Sequence, residues 1–493
     1  MSDYLKYRFL EILPGALIWL TLVLSVVLSF IKPLWLIYFI IVFDVYWFLR
    51  VTYFIFYLFV SSFRLKRTLK TQWLTKLKQE VPNWERLNHL IFLPTYKESV
   101  EIIDATMKSL TEVNYPTDKF IVVLCGEERD QENFEKTSSL IKEKYSKFFK
   151  HLIVTLHPRD LTGEIPGKGS NLNYTGHLVK EMIDNWRISY EDIIVSAFDI
   201  DTRVHASYFA YLSFLYSTTK NPLRASYQPV ALYNNNIWES NPILRISALS
   251  TTFWIMTELE RPDRLFTFSS HSMSFKALVD VGFWQKNIVT EDSRIFLQCF
   301  LRYGGDYRVE PMYLPVSMYT AKGETFWDSL KNLYKQQRRW AWGVEHVPFM
   351  VWHFRRHKHI PWRKKIKYLF NQGEGVYSWA IAPLLIFILG RLPLYLAPEK
   401  VRGMAIYQNT PFTLENLMNL SMIGMLASAV FSLTLLPDPS TAGKKGFWDY
   451  LGMVLQWILL PVSFILFGSV PSIDAQTRLM LGKYLGFYVA KKK

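Results

Sequence analysis

IIVSAFDIDTR (193–203) is an apolar run that stops abruptly at two aspartates one residue apart. A short apolar stretch bounded by polar residues is the pattern of a buried strand, and the acids stand where the chain would leave the sheet. Three further stretches share this pattern: NHLIFL (88–93), FIVVLCG (120–126) and HLIVTLHP (151–158). Amphipathic segments such as SVEIIDATMKSL (99–110) and HASYFAYLSFLY (205–216) lie between the runs. Strands alternating with helices predict an α/β fold built on a mostly parallel sheet. Ligands of such sheets bind beyond the carboxyl ends of the strands.

Polar residues fall where that rule places a site. LIFL leads into PTYKE (94–98), VVL into CGEER (125–129), and IIVSAF into DIDTR (199–203). One acid at a strand end can simply cap the next helix, whereas acids at three ends suggest a site for a polar, charged ligand. A D-x-D pair can also be an ordinary turn. After a buried strand, Asp199 and Asp201 can instead turn toward one hard cation, Mg²⁺ or Mn²⁺, which takes oxygen ligands and bridges phosphates. NIVTEDSRIF (287–296) repeats the motif of apolar residues running into acids. Thr290 can serve as a helix N-cap with Glu291 and Asp292 at the positive end of the helix dipole. Chemistry would require one of those carboxylates to face the cleft as a general base.

Outside this region the chain changes character. It has 493 residues, half of them hydrophobic and 16% aromatic, with 57 Lys+Arg against 42 Asp+Glu and a net charge of +15. LPGALIWLTLVLSVVLSFI (13–31) and the run 33–60 each reach the roughly 20 residues that one bilayer crossing needs. No small-residue cleavage site separates them, which argues against a removable signal peptide. RLKRTLKTQWLTKLK (64–78) follows, a basic cluster that marks the cytoplasmic side. Two cysteines, Cys125 and Cys299, give no disulfide framework and suit a reducing compartment. The positive residues crowd beside apolar spans and no nucleic-acid module is present, so anionic headgroups account for the charge and nucleic acid is not expected as a partner. Asp44 and Arg50 lie inside an apolar run, where ionisable groups face protein or water. A bend toward the interface explains them more simply than a substrate path does.

Candidate spans resume at 375–397, 412–436 and 448–470, five crossings in all, with Pro461 able to kink one into a re-entrant segment. Five crossings would put the tail outside, yet Arg478, Lys483 and the terminal KKK (491–493) favour the inside. The expected organisation is a transmembrane hairpin (1–63), a basic linker (64–85), a cytosolic catalytic domain (86–345), basic interfacial helices (346–372), transmembrane helices (373–473) and a basic tail (474–493).

PTYKE, GKGSNLN (167–173), DID, TED and KQQRRWAWG (335–343), in this order, resemble the membrane-bound family 2 glycosyltransferases, among them cellulose, chitin and hyaluronan synthases and ceramide glucosyltransferase. The resemblance spans about residues 88–345. It implies a Rossmann-like GT-A domain between N- and C-terminal transmembrane helices in a multi-pass plasma-membrane protein. It also implies sugar transfer from a nucleotide-sugar donor, with inversion, to a growing polysaccharide or, alternatively, a single addition to a lipid. Intact motifs argue against a degenerate transferase domain serving a transporter or scaffold. By the resemblance, Thr95, Tyr96, Glu98 and Glu127 would hold the nucleoside, and Lys168, Asn173 and Asp199 the diphosphate. Asp199 and Asp201 would hold Mg²⁺ or Mn²⁺, and Asp292 would be the base. Glu291, His271, Gln336, Arg339 and Trp340 would bound the acceptor and diphosphate side.

Two departures limit the carry-over. Where relatives read D-D-G or D-G-S, this chain reads Cys125-Gly126-Glu127-Glu128-Arg129-Asp130, so Glu127 would substitute and a uridine donor is not implied. FSSHSMSF (268–275) replaces an F-x-G-[ST] pattern, placing His271 beside the acceptor, although a lone histidine is more often structural. Helical spacing over 327–343 predicts three faces: Gln336, Arg339, Trp340 and Gly343 toward the site; Lys331, Lys335, Arg338 and Trp342 toward headgroups or solvent; Trp327, Leu330, Tyr334 and Ala341 against the domain.

Overall fold

The computed structural model describes residues 2–437 and 445–486. Two long helices open it, Asp3–Ile31 and Pro33–Lys70. The Ser2 hydroxyl accepts the Leu5 N–H at 3.3 Å to start the first, and Pro33 at the first turn starts the second, where a missing N–H costs nothing. The expected linker is largely helix: the second helix continues to Lys70, and helix Trp73–Glu80 packs Trp73 on Tyr211 with ring centroids 4.1 Å apart.

An eight-stranded sheet follows, in the order β3-β2-β1-β4-β7-β6-β8-β5. Strands β1 (Asn88–Pro94), β2 (Phe120–Glu127), β3 (His151–His157) and β4 (Ile193–Ala197) are the four expected from the sequence, and all run parallel. Beyond β4 the sheet becomes mixed. Strand β7 (Ser272–Ser274) is antiparallel to both β4 and β6 (Ala225–Leu232), β6 is parallel to β8 (Arg308–Ser317), and β5 (Arg203–Val204) runs antiparallel to β8. Strands β6 and β8 nevertheless run the same way as the first four, so the sheet is mostly parallel as expected, with β5 and β7 as its reversed strands.

Alternation along these strands explains their continuous apolar sequences. Leu90, Phe92, Ile121 and Val123 enter one core cluster, while Ile91, Leu93, Val122 and Leu124 enter another on the opposite face. A sheet covered on both sides needs apolar residues at every position. Because β1, β2 and β4 pair in register up to Pro94, Cys125 and Ala197, their exits lie side by side.

Among the described residues four helices are long and apolar enough to cross a membrane: Asp3–Ile31, Pro33–Lys70, Ala405–Leu435 and Phe447–Met480. A fifth is formed if Trp362–Phe387 and Leu389–Leu396, bent by 47°, count as one. Residues 474–480, read as the beginning of a tail, continue as the helix Val470–Met480, with Ala475, Gln476 and Leu479 buried. The helix lies tight against the first one: a Cβ on Gly15 would stand 2.7 Å from Met480 Cβ and 2.8 Å from the Gln476 carbonyl. Arg8 Nη1 donates to the Leu479 carbonyl at 2.8 Å. KKK (491–493) lies outside the described residues.

Candidate active site

The exits of β1 and β2 build one half of the site. Glu98 Oε2 accepts the Tyr96 N–H at 2.6 Å and the Thr95 hydroxyl at 3.2 Å, closing the PTYKE turn on itself. Lys97 sits in the left-handed region at φ +64°, where its N–H donates to Asp130 Oδ2 at 2.7 Å. Glu127 is buried and paired with Arg129, whose guanidinium lies 4.4 Å over the Tyr96 ring. Thr95, Tyr96 and Glu127 thus share one wall, with Arg129 as a member that the sequence reading did not single out.

Lys168 occupies the centre. It begins helix Lys168–Trp186, and its buried ammonium donates to Asp199 Oδ1 at 2.8 Å and to Asp292 at 2.9 and 3.1 Å. Glu291 Oε1 stands 3.9 Å away. Burial would lower the Lys168 ammonium, but Asp199, Asp292 and Glu291 outweigh it and hold the group well above its ordinary range. Gly169 permits this approach, since a Cβ there would meet the Gln285 carbonyl at 2.9 Å and Glu291 Cβ at 3.2 Å. Burial, then the neighbouring Asp292, pushes the Glu291 carboxyl up to about 8.

The two aspartates of DID have different surroundings. Asp199 is partly exposed and accepts the Ser269 hydroxyl on Oδ2 at 2.5 Å. Asp201 is 1% exposed, and its Oδ2 accepts the Tyr319 N–H at 2.9 Å, fixing the end of β8. Among the described residues no group of three or more His, Cys, Asp or Glu side chains is arranged to hold a metal.

Other expected residues have structural partners. Asn173 donates to the carbonyls of Trp284 at 2.7 Å and Gly282 at 3.4 Å, fastening the helix to the remote loop that precedes Glu291. His271 is fully buried, its Nδ1 2.9 Å from the Phe268 carbonyl, and so does not line an open acceptor surface. Burial lowers its imidazole despite the nearby Asp292. Thr290 does precede helix Glu291–Arg302, but its hydroxyl donates to Glu345 rather than capping the helix.

Helix Phe326–Ala341 departs from the predicted faces. Its buried line is Ser329, Leu333, Gln337 and Ala341, spaced by four, while Trp327 is 75% exposed. Arg338 is partly buried and donates to Asp474 Oδ2 at 2.9 Å, as does the Tyr334 hydroxyl. Trp342 is buried with Val289, Val376 and Leu479. The C-terminal helix claimed this face, a partner invisible to periodicity. Gln336, Arg339 and Trp340 are half-buried, and the charge of Arg339 acts on both Glu291 and Tyr233.

Tyr233 is the main residue that the sequence reading missed. It follows β6 directly, its ring lies 5.7 Å from Trp340, and its hydroxyl is raised by burial and then by Asp199 and Asp201. Its signal was available: PVAL runs into YNNN (233–236), the same strand-to-polar transition as at the other three exits.

A sequence profile described as glycosyl transferase family group 2 matches residues 194–467, more than half of the chain. The chain belongs to this family. Its mixed sheet, with acids at the exits of parallel strands, is GT-A-like. No curated protein matches. Among solved structures, the mannosyltransferase PcManGT from Pyrobaculum calidifontis, in complex with GDP-Man and Mn²⁺, is 16% identical over 78% of this chain and 97% of its own, with a TM-score of 0.43. TarS 1–349 of S. aureus, in complex with UDP-GlcNAc, is 13% identical over 70% of this chain and 90% of its own, with a TM-score of 0.33.

Proposed function

We propose that the chain is an inverting glycosyltransferase of the membrane, its catalytic domain on the cytosolic side of the plasma membrane, that moves a sugar from a nucleotide-sugar donor to a growing polysaccharide. The observation that carries this reading is the convergence of Asp199, Asp292 and Glu291 on Lys168, beside the Tyr233–Trp340 pair. Basic residues at 64–78 support the orientation.

In this reading Thr95, Tyr96 and Glu127 receive the nucleoside, with Glu98 shaping their turn. Asp292 takes the proton of the acceptor hydroxyl as that oxygen bonds to the anomeric carbon, and the bond from this carbon to the diphosphate breaks. Lys168 and Arg339 meet the negative charge that gathers on the leaving group. Attack opposite the departing diphosphate inverts the anomeric carbon. Mg²⁺ or Mn²⁺ fits Asp199, a partly exposed hard oxygen donor in the cleft, since such ions take one or two carboxylates and complete their shell with phosphate and water. When bound, the ion would add positive charge at the diphosphate. Asp201, turned to Tyr319, positions the strand end. Tyr233 and Trp340 offer aromatic faces to a sugar acceptor.

Single addition to a lipid is the second reading, favoured by helix Pro242–Leu259. Its Trp254 is 41% exposed and lies 4.8 Å from Phe268 of the site loop, and the same helix packs against Pro33–Lys70.

Detergent-solubilised protein incubated with a panel of radiolabelled nucleotide sugars tests these readings together. The consumed donor identifies base and sugar, and product size separates polymer from glycolipid. Asp292→Asn should lose transfer by about 100-fold or more. Near-normal turnover by that variant removes the base assignment, and full activity in EDTA removes the metal.

A further inference from the structure

A second charged cluster lies away from the site, where the turn after helix Pro242–Leu259 meets helices Pro33–Lys70 and Trp362–Phe387. Arg261 pairs with Glu258 Oε1, and Arg264 Nη2 reaches the same oxygen at 3.4 Å and the Tyr53 hydroxyl at 3.3 Å. Arg261 also lies 4.7 Å over the Tyr53 ring. Arg50 pairs with Glu374, and Lys367 with Asp263. Four cations therefore face three carboxylates.

Two observations point to an anion-binding arrangement. The Nε of Arg261 and the Nε of Arg264 are buried N–H donors with no acceptor. A guanidinium presents a planar fork of donors that suits phosphate or carboxylate oxygens, and here two forks converge on a single glutamate oxygen. Burial, then the like charge of Arg50, pushes both guanidinium groups down to about 10.

The depth of the cluster identifies the anion's source. About 20 residues cross the hydrocarbon, so a span starting at Pro33 ends near Thr52. Arg50 and Tyr53 straddle that level, and Arg50 lies 5.2 Å over Trp47, within an aromatic set of the kind that gathers at membrane interfaces. The helix Trp362–Phe387 brings its basic first turns to the same seam. Reading Pro33–Lys70 as a membrane span, we infer that Arg261 and Arg264 form a binding site for the phosphate of an anionic lipid headgroup at the seam between the transferase domain and the bilayer.

Native mass spectrometry of the detergent-solubilised full chain, offered phosphatidylglycerol and phosphatidylcholine in equal amounts, tests the inference. Both carry the phosphate, but only the second adds a quaternary ammonium that the clustered cations repel. Wild type should retain the anionic lipid about tenfold over the zwitterionic one, and Arg261→Gln/Arg264→Gln should lose that preference. Should the double variant fail to fold, Arg264→Gln alone should reduce the preference several-fold while its thermal unfolding stays cooperative. Equal retention of both lipids by wild type, or an unchanged preference in the folded variants, would overturn the site. Displacement of the lipid by millimolar inorganic phosphate would overturn the lipid assignment. Recovery of wild type from cells without detergent would instead refute the span on which the inference rests.

Discussion

The two halves of the candidate site are held together in different ways. At the exits of β1 and β2 two acids find partners close in sequence: Glu98 closes on Thr95 and Tyr96, and Glu127 on Arg129. On the other side the partners are remote, since Lys168 joins Asp292 across 124 positions and Arg338 joins Asp474 across 136. The first half is a set of turns that the local sequence can specify. The second exists only once the whole chain has folded, including the terminal helices.

Removing Lys168 should expose this contrast most strongly. Lys168→Met leaves Asp199, Asp292 and Glu291 crowded around an apolar side chain, and loss of one member of a buried ionic group costs about 3 kcal/mol or more. Glu98→Gln, in the local half, keeps one acceptor oxygen for the turn and should cost about 1 kcal/mol. Thermal unfolding of both purified variants measures the difference. Equal shifts would mean that the remote half is no more dependent on its central ion pair than the local half is on its turns.

The same distinction separates two adjacent arginines. Arg339→Ala should reduce sugar transfer about 100-fold with little change in unfolding temperature, because its charge acts on the site. Arg338→Ala should retain most transfer and lose about 1 kcal/mol of stability, since its partly exposed pair with Asp474 joins two helices. Parallel transfer assays and melting curves decide between these outcomes, and comparable activity loss in both variants would refute the division.

What was legible in the sequence follows the same division. Strands β1 to β4 and the acids at three of their exits could be read because a sheet buried on both faces leaves an unbroken apolar record ending in a polar turn. Strand β7 is only Ser272–Ser274 and carries no such record; its pairing with β4 is a tertiary event. The faces of helix Phe326–Ala341 were misassigned for a related reason. Periodicity shows which residues share a face, but Asp474 and the helix Val470–Met480 determine which face is covered. His271 looked like a polar group beside the acceptor because sequence gives chemistry without depth, and depth made it a buried support for its loop.

Glu291 offers the sharpest sign. Its carboxyl is pushed from an ordinary 4.5 up to about 8, chiefly by burial and next by Asp292. Between these values the folded chain holds a proton that the unfolded chain has released, so the stabilising contribution is complete below pH 4.5 and is lost as pH rises through 8. The slope from this one group can reach about 1.4 kcal/mol per pH unit. Glu291→Gln, which stays neutral, should flatten that part of the stability curve and leave the variant more stable than wild type at pH 8 relative to pH 5, as read by melting temperature. Identical pH dependence in the two proteins would mean that Lys168 keeps Glu291 ionised throughout. The remote half would then be a fully charged cluster rather than one that keeps a proton in reserve.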